Sequence, residues 1–194
     1  NHNYRQYWRG REYEHASDTG TWRTLTTFLA DDHWDPEYLS TTGGNDPLDN
    51  FHDTQNEISH LQDRVLVHKI YESAYPTIID ALGEHRKPQV NTDILNAFNS
   101  GTVLFSFVGH GNPNVWTHES VLNVPGSIDA MTNFDRLSYV TTATCDFSHW
   151  DDFTDFSGGE QFLMSPLGGA IGLLGTTRSV TSGEPLVQYF YQTL

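Results

Sequence analysis

The clearest pattern in the chain is TVLFSFVGHG (102–111), a nearly continuous apolar run that stops at Gly-His-Gly. Such a run predicts a strand buried on both faces, as in the middle of a parallel sheet. RTLTTFLADD (23–32), which empties into two aspartates, LSYVTTATC (137–145) and GGAIGLLGTT (168–177) read the same way, and VLVHKIY (65–71) is a further strand. Helical spacing lies between them. Residues 51–64 (FHDTQNEISHLQDR) set Phe51, Ile58 and Leu61 among polar groups, a modest amphipathic helix. Pro76 is placed to open a short helix through Ile79 and Leu82 that stops near Gly83. Asn91 reads as the N-cap of TDILNAFNSG, with Ile94, Leu95 and Phe98 on its apolar side and Gly101 as its stop. SIDAMTNF (127–134), GGEQFLMSP closed by Pro166, and the segment from Glu184 onward complete the helices, while residues 33–50 read as a loop. Strands and helices alternating at this spacing predict right-handed crossovers in an α/β fold, a mostly parallel sheet with helices on both faces. Residues 1–22 form a polar lead-in, and 23–194 form the α/β unit.

Charge narrows the partners. Twenty-five Asp and Glu against 10 Lys and Arg give a net charge of −15, which argues against nucleic acid. A hydrophobic content of 37% makes the acidity a solvated surface rather than a sign of disorder. The single cysteine, Cys145, excludes an internal disulfide framework and sites built from several thiolates. No apolar run approaches the ~20 residues of a membrane span, and the polar start is not a signal peptide. The chain begins without Met and stops inside an amphipathic pattern, so the expectation is a fragment truncated at both ends, its export signal and other domains lying outside.

Ligands of open α/β sheets bind where the strands end. Two neighbouring strands here end in His110 and Cys145, bringing an imidazole and a thiol to one edge. A neutral thiol attacks poorly; a histidine in reach takes its proton and later protonates the leaving amine. Gly109 and Gly111 permit a sharp turn, and the amides of Gly111 and Cys145 are candidates for an oxyanion hole. Two other readings stay open: Cys145 as a small buried hydrophobe, and a metal-dependent hydrolase built on the His and Asp clusters.

FSFVGHGNPNVWTHE (105–119) and YVTTATCDFSHWDDFTDFSGGEQFLMSPLGGAIGLLGTTRSV (139–180) resemble the gingipain-type cysteine peptidases. Within that family the GHGN loop, the His118–Glu119 pair, the TATC-D-F strand end, the SGGE helix start and the GG-x-I-x-L-x-TTR strand look most like the surface-sortase branch of the bacterial type IX secretion system. The 35-residue separation of His110 and Cys145 fits, and weaker likeness runs upstream through FLADD, the 51–61 helix and HKIYESAYP. The resemblance implies a caspase-like fold, of which this chain is the catalytic half of a larger peptidase domain. It implies His110 as base and Cys145 as nucleophile, with an acid orienting the histidine: Glu57 first by position, Asp53 second. Solvated helix-face acids are the alternative for both. Trp150 and Phe153 are candidates for a substrate wall, and Arg178 either meets a substrate carboxylate or pairs with an aspartate. The chemistry requires no cofactor and no metal, yet the resemblance brings in calcium, for which Asp151, Asp152 and Asp155 beside His149, with Asp31 and Asp32, offer hard oxygen donors. It also implies the reaction: cleavage of the C-terminal sorting domain from secreted cargo through an acyl-enzyme, resolved by water or by an amine of surface lipopolysaccharide. The partners would be those sorting domains and other secretion components, and the location the cell surface at the outer membrane. A general endopeptidase of gingipain type and a non-catalytic binding domain on the same fold are the alternatives.

Overall fold

The computed structural model describes residues 20–61, 63–181 and 184–194. Among the described residues five parallel strands form the central sheet: β1 (Leu25–Ala30), β2 (Leu66–Tyr71), β5 (Leu104–Val108), β9 (Ser138–Ala143) and β10 (Ala170–Gly175), in the order β10-β9-β5-β1-β2. The apolar runs become strands because both faces are covered. Phe105 and Phe107 of β5 project with Leu29, Ile70 and Val140 into a core closed by the helix Pro88–Ser100 through Val90, Ile94, Ala97 and Phe98. On the opposite face Phe28, Val108 and Ala143 meet Ile58 and Leu61 of the helix Asn50–Leu61, and Val187 and Tyr191 of the helix Glu184–Thr193. The expected α/β architecture, helices on both faces, is what the chain forms. Of the expected lead-in, residues 1–19 lie outside the described residues, and Trp22 at its end is buried.

Two short hairpin units decorate this layer. β3 (Ile78–Ile79) pairs with β4 (His85–Arg86), where the sequence predicted a short helix from Pro76. The Asp80 carboxylate explains the difference. It accepts from the amides of Leu82 and Glu84 at 2.8 and 3.0 Å, and Gly83 takes φ +86°, so the segment closes as a turn instead of winding into a helix. The next helix starts at Pro88 rather than after Asn91, whose side chain donates to Val121 and Ser127 instead of capping. The segment expected to be helical over 127–134 is reduced to Gly126–Asp129.

The second unit matters more for chemistry. β6 (Gly111–Asn112), β7 (Val115–Trp116) and β8 (Leu122–Asn123) form a small antiparallel sheet directly after His110. Trp116 pins it to the core: fully buried, it stacks on Phe107 with centroids 4.6 Å apart and lies 5.2 Å from Phe147. The residues that follow the GHG turn are thus fastened to the sheet rather than left as a free loop.

Candidate active site

Because all five strands run parallel, the residues just past β1, β2, β5 and β9 share one edge. In the register of β5 and β9, Val108 pairs with Ala143, so His110 and Cys145 each stand two residues beyond the same pair. Two glycines are required here by close approach. A Cβ on Gly109 would come within 2.3 Å of Asp31 Cβ, and one on Gly111 within 2.5 Å of Thr144 Oγ1. Gly111 therefore lets the GHG turn lie against the residue that precedes Cys145. His110 and Cys145 line a single cavity of about 610 Å³, with Glu37, Tyr38 and Leu48 on one side and the 179–181 segment on the other.

The histidine is held from several directions. Its amide donates to Asp31 Oδ2 at 2.9 Å. Its Nε2 lies 2.5 Å from Asp46 Oδ2 and 3.4 Å from Asp35 Oδ2, both carboxylates being buried. Each of these aspartates splits its oxygens between two tasks. Asp35 Oδ1 accepts from the Glu37 amide at 2.7 Å and Asp46 Oδ1 from the Leu48 amide at 2.8 Å, which fixes the carboxylate, while Oδ2 faces the imidazole. The loop is closed behind them by Asp35 N donating to Gly44 O, Asp46 N donating to His33 O, and the Trp34–Asn45 bridge. His118 stands beside the pair, its ring 4.9 Å from that of His110 and its Nε2 3.8 Å from Asp35 Oδ1. Burial pulls the His118 pKa below the usual histidine value, against the pull of Asp35. Nδ1 of His110 carries no hydrogen bond among the described residues.

Cys145 is half-buried. Its sulfur accepts from the Val180 amide at 3.5 Å and lies 3.4 Å from the Val180 carbonyl. Asp146, at φ +52°, anchors that strap by accepting from Ser179 Oγ at 2.7 Å. The Thr117 amide donates to His110 O at 3.0 Å, which makes Gly111 and Trp116 the non-hydrogen-bonded pair of their ladder and leaves the Gly111 N–H outside it. The Cys145 N–H likewise has no acceptor among the described residues. Two donors at the cavity are thereby available to an oxygen of a substrate.

Other expected groups lie elsewhere. Glu57 and Asp53 are not among the groups touching His110; the acids beside it are Asp35 and Asp46. Glu57 falls on the buried stripe of its helix, with Asn50, Thr54, Ile58 and Leu61, and its carboxylate accepts from Ser106 Oγ at 2.6 Å within the sheet. Phe153 is 98% exposed, and neither it nor Trp150, which lies against Gly159, lines the cavity. Arg178 is committed to Asp151 in a two-pronged pair that holds the Asp151 carboxyl down at about 2. That pairing also removes Asp151 from the expected calcium set. Asp152 caps Thr154, and Asp31 and Asp32 gather with Glu119 instead. Among the described residues the expected set therefore does not assemble. A different trio, Asp35, Asp46 and His110, presents one donor each within 4.8 Å and has the makings of a cation site, but through the very nitrogen that holds the histidine. No sequence motif singled out Asp35 and Asp46; the available signal was only a loop rich in aspartate after β1.

Behind His110, burial raises the Asp31 carboxyl well above the usual range, against its hydrogen bond from the His110 amide. Burial raises Glu72 likewise and Glu119 to about 7.

The sequence profile of peptidase family C25 matches residues 9–194. None of the curated proteins matches the chain. Among solved structures, the Arg-specific cysteine proteinase gingipain R (RgpB) aligns with a TM-score of 0.70 at 15% identity, covering 97% of this chain and 41% of that one. A complex of the Porphyromonas gingivalis RgpB pro- and mature domains aligns at 0.65 and 16% identity, covering 91% and 38%. A structure described only as a protease aligns at 0.60 and 16%, covering 96% and 36%. The likeness is one of fold, and the chain spans about two fifths of the first two.

Proposed function

The chain belongs to peptidase family C25, the gingipain family, and from that premise we propose that it carries the catalytic centre of a cysteine peptidase, with Cys145 as nucleophile and His110 as base. The observation that supports this most is the shared cavity: thiol, imidazole and two unpaired amides converge on it. The thiol proton passes to Nδ1 of His110, the nitrogen that Asp46 does not engage. Asp46, backed by Asp35, then stabilises the imidazolium. The Val180 amide steadies the thiolate. Sulfur attacks the scissile carbonyl carbon, and the carbonyl electron pair moves to oxygen, which the Gly111 and Cys145 amides receive. Collapse breaks the C–N bond, the amine leaves with the proton from His110, and a thioester remains. Water, activated by the same imidazole, hydrolyses it.

Within the family, the five motifs from GHGN to TTR favour the surface sortase PorU, the C-terminal signal peptidase of type IX secretion. In that reading the substrate is the junction between secreted cargo and its sorting domain, the acyl-enzyme is resolved by water or by a lipopolysaccharide amine, and the site of action is the outer surface of the outer membrane. Iodoacetamide treatment and Cys145→Ala should each reduce cargo processing by about three orders of magnitude or more, while a chelator leaves the thiol step itself in place. Undiminished processing after alkylation would refute the thiol mechanism. Cleavage of unrelated peptides after Arg or Lys would favour a general endopeptidase over the sortase.

A further inference from the structure

Arg178 takes no part in the chemistry proposed above, yet it stands two residues before Val180, whose amide and carbonyl meet the Cys145 sulfur. The strand ladder of β10 ends at Gly175, and residues 177–181 beyond it are exposed throughout. Burial therefore does little to hold this strap, and its place depends on polar ties to the segment after β9. They run as a seam. Thr176 Oγ1 donates to the Thr144 carbonyl, the Ser148 amide to the Thr176 carbonyl at 3.0 Å, the Asp146 amide to the Arg178 carbonyl at 3.5 Å, and Ser179 Oγ to Asp146 Oδ2 at 2.7 Å. The Arg178 side chain closes the seam on its outer side. Nη1 donates to Asp151 Oδ1 at 2.7 Å, Nη2 donates to Asp151 Oδ2, and Nη1 also reaches the Thr177 carbonyl at 2.6 Å. One planar guanidinium thus joins the strap's own backbone to the loop that follows the nucleophile, fixing orientation as well as distance; a lysine at this position would supply a point charge without the fork.

The tie nearest the chemistry is the one with least slack. Val180 N lies 3.5 Å from Sγ, and a strap displaced outward by about 1 Å would no longer donate to the sulfur. We propose that Arg178 is a positioning residue for the nucleophile: its two-pronged pair with Asp151 holds the strap where the Val180 amide reaches the Cys145 sulfur. An ionised sulfur accepts that N–H more strongly than a thiol does, whereas the Val180 carbonyl 3.4 Å away receives only the weak S–H donor, so a strap held in place favours the attacking form. The pair is worth little to the fold, since the side chains of Arg178 and Asp151 are 57% and 58% exposed. Its effect is local. The role as a positioning residue rests on the peptidase reading; the latch between strap and loop does not.

The test measures the rate at which iodoacetamide alkylates Cys145 in the purified protein at neutral pH, beside a thermal melt. Arg178→Gln and Asp151→Asn should each slow alkylation about threefold or more, while Tm stays within about 3 °C of the parent. The double variant should be no slower than either single one, because the two side chains act as one latch. Arg178→Lys, which keeps the charge and loses the fork, should recover part of the rate. Asp155→Asn, which removes a charge from the same loop without touching Arg178, should alkylate like the parent. An unchanged rate in both single variants overturns the proposal, as do losses that add in the double variant. A faster rate overturns it too, since the strap would then merely cover the thiol. Alkylation needs no peptide, so the two readings fail separately. Slowed alkylation in a protein that cleaves nothing discards the proposed function, and a peptidase whose thiol is indifferent to Arg178 and Asp151 discards only this role.

Discussion

If His110 is the base proposed above, Asp46 sets its worth, because Asp46 Oδ2 is the nearest group to Nε2 and its side chain is wholly buried. In the proposed mechanism the imidazole becomes positive in the transition state, and a buried carboxylate 2.5 Å away stabilises that charge and fixes the tautomer that leaves Nδ1 open to the thiol. Asp46→Asn preserves the shape and removes the charge. It should lower kcat by roughly 10²–10⁴-fold with little change in folding, as steady-state kinetics beside a urea melt would reveal. Asp35→Asn, 3.4 Å away, should cost less. Glu57→Gln is the contrasting case: it perturbs the hydrogen bond from Ser106 in the interior and should lower stability by about 1–3 kcal/mol while leaving kcat of the folded enzyme intact. A large fall in kcat with Glu57→Gln and none with Asp46→Asn would reverse the assignment. Gly111 has its own sensitivity, since an added Cβ meets Thr144 Oγ1 at 2.5 Å and the Val115 carbonyl at 3.0 Å. Gly111→Ala should cost about 1–3 kcal/mol in urea unfolding and displace the amide proposed to receive the oxyanion.

Two elements carry these residues, and they differ in how legible they were. The strands β5 and β9 announce themselves by unbroken apolar runs, and each delivers its candidate residue at a fixed offset from a paired register position, so His110 and Cys145 could be brought to one edge from the sequence by topology alone. The 33–46 segment has no such period. Its conformation comes from aspartates bonding their own turns, a local solution that leaves no repeating pattern, and so its delivery of Asp35 and Asp46 to the histidine was invisible. The helix 50–61 misled for the opposite reason. Glu57 is an acid at the right distance along the chain, yet it stands on the stripe that faces the sheet, and only burial reveals that. The hairpin at Asp80 was missed because a single carboxylate bonding two amides outweighs weak helical spacing. At this scale the β6–β8 sheet makes the sharpest prediction. Trp116→Ala removes the ring that stacks on Phe107 and packs at a tilt against Phe147, and should cost about 3–5 kcal/mol in urea unfolding. It should also depress turnover at temperatures where the protein is still folded, because residues 111–117 lose their anchor beside the cavity.

For the molecule as a whole, a tyrosine hydroxyl is among the bonds that fasten each helical layer to the rest. On the face of the 88–100 helix, Tyr75 donates to Asp93 Oδ2 at 2.7 Å. On the opposite face, Tyr191 of the last helix lies buried with its hydroxyl 3.1 Å from Thr141 Oγ1. Burial, reinforced by Asp93, pushes the Tyr75 pKa to about 12, and burial followed by the charge of Glu57 raises Tyr191 as well. An unfolded tyrosine loses its proton near pH ~10. Between that value and the raised one, the native protein holds protons that the unfolded chain has released, so the stability these groups lend is fully present below about pH 10 and declines as pH climbs from there toward about 12. The two layers should therefore loosen together in alkali while remaining indifferent to the same phenols near neutrality. The contribution of these phenols to the urea midpoint should be constant up to about pH 9 and fall beyond about pH 10, with phenolate absorbance of the folded protein lagging that of the unfolded chain. Tyr75→Phe should remove part of that slope without altering the loss from Tyr191, because the two hydroxyls sit on opposite sides of the sheet and share no partner. An alkaline slope unchanged in both Tyr75→Phe and Tyr191→Phe would mean that neither layer is held by its phenol.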